Sequence, residues 1–318
     1  MRGMMERVGS TKGTQMTEAA HTTGEDSFPD PPKFTEEDWR KCRESGDYCP
    51  MLFEWYKYVG VVCNFLASIR PESPAVRRIL PLHYSILIGL LNRCTRLMLA
   101  NVALSHEGLF GETTAIIDRC IFESCVKVIW LCQSRSDESF TRFVADGLRT
   151  EVEFKARIKS NIAERGNNTL AIEKRMLASI ERTIASSGLT EEQIIATKRL
   201  PDLAAMIESL NQDRVLYLIG QKIGSHHVHG TWPSLRIHYL EENEEGVLRP
   251  RDHDCETNVN QYVFIPKLVL FSVNNFVHFI FEDEGDIKPI AELLESIEDE
   301  VNKVNKEVVG KDFERAEV

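Results

Sequence analysis

No Gly-x-x-x-x-Gly-Lys-Ser/Thr loop, no Gly-x-Gly-x-x-Gly turn, no His-Glu-x-x-His helix and no Gly-x-Ser-x-Gly elbow occurs in this chain. Those absences remove the commonest motif-borne routes to phosphate cradling, dinucleotide binding, zinc hydrolysis and serine acylation. Positive charge is also short. Lys+Arg number 38 against 49 Asp+Glu, a net charge of −11. That balance argues against a whole-surface nucleic-acid binder and leaves only a local basic patch. The acid gathers beyond Glu282, while Arg142 to Arg199 is mildly basic. None of the eight cysteines sits in a Cys-x-x-Cys pair. In a chain of this length they read as reduced thiols in a cytoplasm rather than a disulfide scaffold. Residues 1–34 have no apolar core segment and are rich in Thr, Gly, Pro and acid, which reads as a disordered tail rather than a signal peptide. The run Val259 to Phe281 is long enough to span a bilayer. It carries Pro266, Lys267, Asn274, Asn275 and His278, each unwelcome in lipid, so it reads as a buried core helix and no membrane partner is expected.

What is present is a helical pattern. Apolar residues make up 42% and charged residues 27% of 318, as in a globular chain of one or two domains. The organising stretch is Gly111 to Gln133, apolar nearly all round, with Arg119, Glu123 and Lys127 as one charged stripe. Residues four apart stand above one another on a helix, so the stripe is either a narrow solvent face or a buried ion network. Ile116, Cys120, Val126 and Trp130 border it.

Helices are also expected from Thr35, over Met51 to Ile69, and over Leu80 to Ser105, the last antiparallel to the organising helix. More follow over Glu138 to Glu164, Thr169 to Ser186, Pro201 to Leu210 and Asp213 to Val228. Gly220 and Gly224 lie about one turn apart, where a neighbouring backbone can approach closely. Trp232 to Asn258 is the non-helical insertion, with Leu235 to Leu240 alternating like one strand of a small hairpin. After the core helix Val259 to Phe281, Ile287 to Val308 spaces Ile290, Leu294, Ile297, Val301, Val304 and Val308 by fours and threes. That seam suits self-association or docking along the chain's own body. The expected fold is an all-α antiparallel bundle over 35–281, with a hairpin insertion near 232–258 and a C-terminal amphipathic segment over 286–318.

Gly224-Ser225-His226-His227-Val228-His229-Gly230 is the second informative stretch. On a helix His226 and His229 share a face. Histidine titrates near neutrality and serves as acid, base or ligand. The plainer reading is a helix C-terminus, where His favours the dipole and Gly230 ends the turn. His226, His229 and Glu123 make three ligands at most, and His-x-x-His alone is weak zinc evidence, so no metal or cofactor is expected. Ser225 has no oriented base and makes no triad.

Arg119 and Glu123, then Trp130-Leu131, then Ser225, Val228, His229 and Gly230 in that order resemble the bacterial family of unknown function designated DUF5677, over about Leu80 to Phe281. The resemblance implies an all-helical fold marked by the Arg–Glu helix and the His-Gly stretch. More widely the chain resembles the HEPN superfamily of helical bundles, many of them metal-independent ribonucleases of toxin and antiviral systems that act as dimers through Arg-x(4–6)-His. Here no histidine follows Arg119 at that spacing, and Arg78 to His83 has it only across Pro81. The resemblance implies an RNA-directed protein. Arg119 would stabilise phosphate charge, His226 or His229 would move protons, and Glu123 would orient them. The competing expectation is a non-catalytic module with a structural Arg–Glu–His core, homo-oligomeric through its C-terminal helix or a bundle face.

Overall fold

The structure, a computed structural model, describes residues 28–310. Most of the N-terminal stretch read as a tail (1–27) and the end of the C-terminal one (311–318) lie outside the described residues. The architecture below belongs to the compact unit Pro31–Val318.

Four long helices close a ring: α2 (Cys49–Ala67), α3 (Pro81–Glu107), α4 (Gly111–Ser134) and α12 (Gln261–Ile280). Each packs on its two neighbours, α2 on α3, α3 on α4, α4 on α12 and α12 on α2. The core runs down the middle. Leu52, Tyr56, Val59 and Cys63 come from α2, Leu87, Leu91 and Met98 from α3, Ile121, Phe122 and Val128 from α4, and Val269, Val273 and Phe276 from α12. Burying each such side chain contributes about 1.5–3 kcal/mol relative to exposure. α12 is mostly buried, although it and α3 are long and apolar enough to cross a membrane. Pro50 and Pro81 sit in the first turns of α2 and α3, where a missing N–H costs nothing. α1 (Glu36–Ser45) precedes the ring and starts on a capping box, Thr35 and Asp38 bonding each other's backbone amides.

α5 (Asp137–Glu164), α6 (Ala171–Ser186) and α7 (Glu191–Ala196) build a second core from Leu148, Val152, Ile158, Ile180, Ile184 and Ile194. Lys155, largely buried there, is held by Glu181 at 3.0 Å and Glu191 at 2.8 Å. The chain then returns to α4 through α8 (Leu203–Ser209), on which α9 (Arg214–Tyr217) packs. A π-helical turn, Leu218–Ile223, and α10 (Gly224–His229) follow. The single helix expected over Asp213 to Val228 is thus interrupted by a wider, under-wound π turn, a feature frequent at functional sites.

The insertion differs from expectation in one part. Leu235 to Leu240 is not a strand: Trp232–His238 is helix α11, started by Thr231 and by Pro233 in its first turn. Proline pre-sets helical φ, and that local signal outweighs the alternation that follows it. The hairpin is shorter and later, β1 (Leu240–Glu242) against β2 (Leu248–Pro250), antiparallel with Glu241 opposite Arg249. Last, α13 (Glu284–Val309) lies along α12 and α2. Ile287, Leu294, Ile297, Val301 and Val304 of its seam are buried within the chain.

Candidate functional site

α4 begins without a cap of its own. Its N-cap residue is Phe110, whose side chain accepts nothing. The orphan amides of that first turn are met by the loop that follows β2. Gly111 N–H donates to the Cys255 carbonyl at 2.9 Å, and Glu112 N–H donates to Asp254 Oδ2 at 2.9 Å. A carboxylate there also suits the positive end of the helix dipole. Gly111 lets the loop this close: a Cβ there would lie 2.7 Å from Cys255 Sγ and 2.8 Å from the Cys255 carbonyl oxygen.

Asp254 placed in this way orients a histidine. His238, the last residue of α11 and only 5% exposed, donates from Nδ1 to Asp254 Oδ1. Cys255 Sγ lies 3.3 Å from the same nitrogen. Burial pushes the Asp254 carboxyl up, but the Glu112 amide, His238 and the Cys255 amide outweigh it and hold the carboxyl below its ordinary value. With the proton on Nδ1 directed at a carboxylate, His238 Nε2 carries the lone pair, and that atom is buried with no partner. The His227 ring meets His238 edge-on, centroids 4.9 Å apart, and its Nδ1 is likewise buried and unpartnered. Burial, then His238, lowers the His227 pKa below its ordinary 6.5.

Both imidazoles line a cavity of about 520 Å³ between α4, the π-helical turn, α10, α11 and the start of α12. Arg119 lines it too. Gly224 packs on the Arg119 side chain, where a Cβ would come within 2.9 Å of Arg119 Cβ, and Gly220 sits against the Phe122 ring. The close approach expected of these two glycines is what brings α10 and the π-helical turn onto α4. Arg119 makes no hydrogen bond or ion pair among the described residues, and its Nε is buried.

The sequence candidates separate accordingly. Arg119 reaches the cavity. Glu123 does not pair with it: Glu123 bonds Lys127 at 3.0 Å, so the expected three-residue stripe is one i,i+4 pair plus a free guanidinium. His226 shares a 2.7 Å hydrogen bond with Thr231 Oγ1 and His229 is exposed. Those two follow the plainer reading of a helix end, and His227 between them turns inward. The pairing of Asp254 with His238 was missed. The residues are distant in sequence, and no local spacing links them; the one available hint was the run Asp252-His253-Asp254-Cys255 in a loop otherwise poor in function.

A metal can be weighed against these donors. His238, Asp254 and Cys255 bring one ligand atom each within 4.8 Å of one another. Three mixed donors are enough for an open site, but the His238–Asp254 hydrogen bond occupies the nitrogen such an ion would take. His226, His229 and Glu123 form no such cluster among the described residues.

Five residues that line this one cavity each carry a buried polar atom without a partner: Asp118 Oδ2, Arg119 Nε, His227 Nδ1, His238 Nε2 and Gln261 Oε1. Buried polar atoms are nearly always paired, and each orphan costs about 1–3 kcal/mol. Five together around a void mark a place where something else supplies the partners.

A family model described as "Family of unknown function (DUF5677)" matches residues 84–247, just over half of the chain. The match takes in Arg119, His227 and His238 and ends before Asp254. No curated protein matches, and no solved structure does.

Proposed function

The chain belongs to the DUF5677 family of unknown function, and from that premise we propose that its cavity is the active site of a metal-independent, RNA-directed phosphodiester-cleaving protein of a reducing compartment. The observation that carries the reading is the sharing of one cavity by an unpaired guanidinium and two unpartnered imidazoles, one of them oriented by a carboxylate. Cleavage of RNA beside a 2′-hydroxyl needs a base, an acid and a cation. His238 Nε2 takes the 2′-hydroxyl proton while the 2′-oxygen bonds to phosphorus. Arg119 bears the charge on the non-bridging oxygens. The bond from phosphorus to the 5′-oxygen breaks, and protonated His227 gives that oxygen its proton. The products are a 2′,3′-cyclic phosphate end and a 5′-hydroxyl. Asp254 holds the His238 tautomer, the role the sequence had offered to Glu123. His227 must be protonated to act, so its lowered pKa starts the alkaline limb of the rate below pH 6.5.

The test is a short RNA incubated with the purified chain in a chelator, beside Arg119→Ala, His227→Ala and His238→Ala. Cyclic phosphate ends from the parent, lost in all three variants, are expected. No cleavage by the parent, or equal cleavage by all four, overturns the reading.

A second reading, a non-catalytic binding module, draws on the exposed apolar side chains that line the cavity, Ile219 at 51% and Ile223 at 54%. It expects a bound ligand or a second copy and no RNA product.

A further inference from the structure

Four further residues line the cavity that holds Arg119, His227 and His238. Asp118 is 7% exposed and lines it. Its Oδ1 accepts from Asn101 Nδ2, which also donates to Tyr56 OH at 3.2 Å. Its Oδ2 has no partner. Burial raises its pKa well above the ordinary range, opposed only by Asn101, which favours the protonated carboxyl over the carboxylate. Gln261, at the start of α12, lines the same cavity with an unpartnered buried Oε1. Phe122 and Phe264 also line it, their rings 24° from parallel with centroids 6.2 Å apart. Asp118, whose raised pKa favours the protonated donor, the Gln261 acceptor and the half-buried Phe264 ring stacked on Phe122 fit a flat, hydrogen-bonding ring, with Glu256 a further acid on the lining. They do not fit a second anion or a plain hydrocarbon chain, which would leave the donor and the acceptor empty.

We propose that Asp118 and Gln261 form a nucleobase subsite, so that the unit bound by this cavity is a nucleoside monophosphate, base on Asp118 and Gln261 and phosphate on Arg119. The placement of the phosphate rests on the reading of Arg119 given above; the base subsite rests on Asp118, Gln261 and the two rings. The volume of about 520 Å³ lies within the span of small-molecule sites.

Calorimetric titration of the full chain with the four nucleoside 5′-monophosphates, their nucleosides and inorganic phosphate tests it. At least one nucleotide should bind about tenfold or more tighter than phosphate and than its own nucleoside, one or two hydrogen bonds' worth on each side. Gln261→Leu and Asp118→Leu should each weaken that nucleotide about tenfold and leave phosphate unchanged. Asp118→Asn, which keeps a neutral donor, should bind as the parent does. A nucleotide bound no better than phosphate, or unmoved by Gln261→Leu, overturns the subsite; Gln261→Leu decides alone if Asp118→Leu does not fold. Nucleotide binding in this pattern without RNA cleavage keeps the subsite and ends the cleavage reading. RNA cleavage with no nucleotide preference does the reverse.

Discussion

A methyl group on Gly111 would press on Cys255 Sγ and on two loop carbonyl oxygens at 2.7–2.8 Å. Two of those three atoms are backbone and cannot swing aside, so Gly111→Ala must move the loop. Overpacking of this kind costs about 1–3 kcal/mol. Asp254 moves with the loop, and His238 loses the carboxylate that orients it. The expected outcome is a modest fall in melting temperature and a much larger loss of any His238-dependent activity, read by calorimetry beside the RNA assay. Asp118 makes a prediction of opposite sign. Its folded pKa lies well above the unfolded value of 3.8, so the folded state holds a proton that the unfolded state has released. Its contribution is fully present below about pH 4 and is lost as pH rises toward the folded pKa. Asp118→Asn removes that slope. Urea melts at about pH 5 and pH 8 should show the variant gaining on the parent as pH rises; a constant difference would mean the carboxyl is ionised in the fold. His227 has the reverse sign. Its folded pKa is lowered, so its share of stability is present above about pH 6.5 and lost as pH falls toward the folded value.

Among the elements, α13 shows how one pattern serves two readings. Its fours-and-threes seam is as good for a partner helix as for the chain's own flank, because both ask only for an apolar stripe. Here the stripe is used within the chain, where Leu294 is 3% exposed against the bundle. Leu294→Ala should therefore cost roughly 2–5 kcal/mol, as buried leucine truncations do. Sedimentation should report the parent's mass; a variant that keeps its melting temperature but changes mass would place the seam between copies instead. The π-helical turn is the less legible case. Its residues, Leu218 to Ile223, carry an ordinary helical sequence. The under-wound turn sets Gly220 on the Phe122 ring and Gly224 on Arg119, contacts that exist only once α4 is beside them.

At the scale of the molecule, the described residues include a core in the helix ring and another in the α5–α7 lobe. The ring of α2, α3, α4 and α12 buries the largest side chains, among them Tyr56, Phe122 and Phe276. The α5–α7 lobe is held by its own isoleucine cluster and by Lys155 between two glutamates. Regions with their own small core open separately from the rest. Hydrogen exchange should show α6 and α7 opening at lower free energy than α4 and α12; equal protection throughout would make the chain one cooperative unit. The cavity lies against α4 and α12, in the part expected to open last.

The sequence by itself determined the long helices, the Thr35 cap and the burial of α12. These depend on spacings of three and four and on single residues such as Thr35, Pro50 and Pro81, all local in the chain. It also marked Arg119 and the two helix-spaced glycines, because a charge on an apolar helix and paired small residues are local anomalies. Only the tertiary structure decided which imidazoles face Arg119. His226, His227 and His229 share one turn of chain, and their directions depend on a π-helical segment packed against α4. The partnership of His238 with Asp254 depends on an uncapped helix start drawing a distant carboxylate to its amides, a need that no stretch of sequence expresses until the two are folded together.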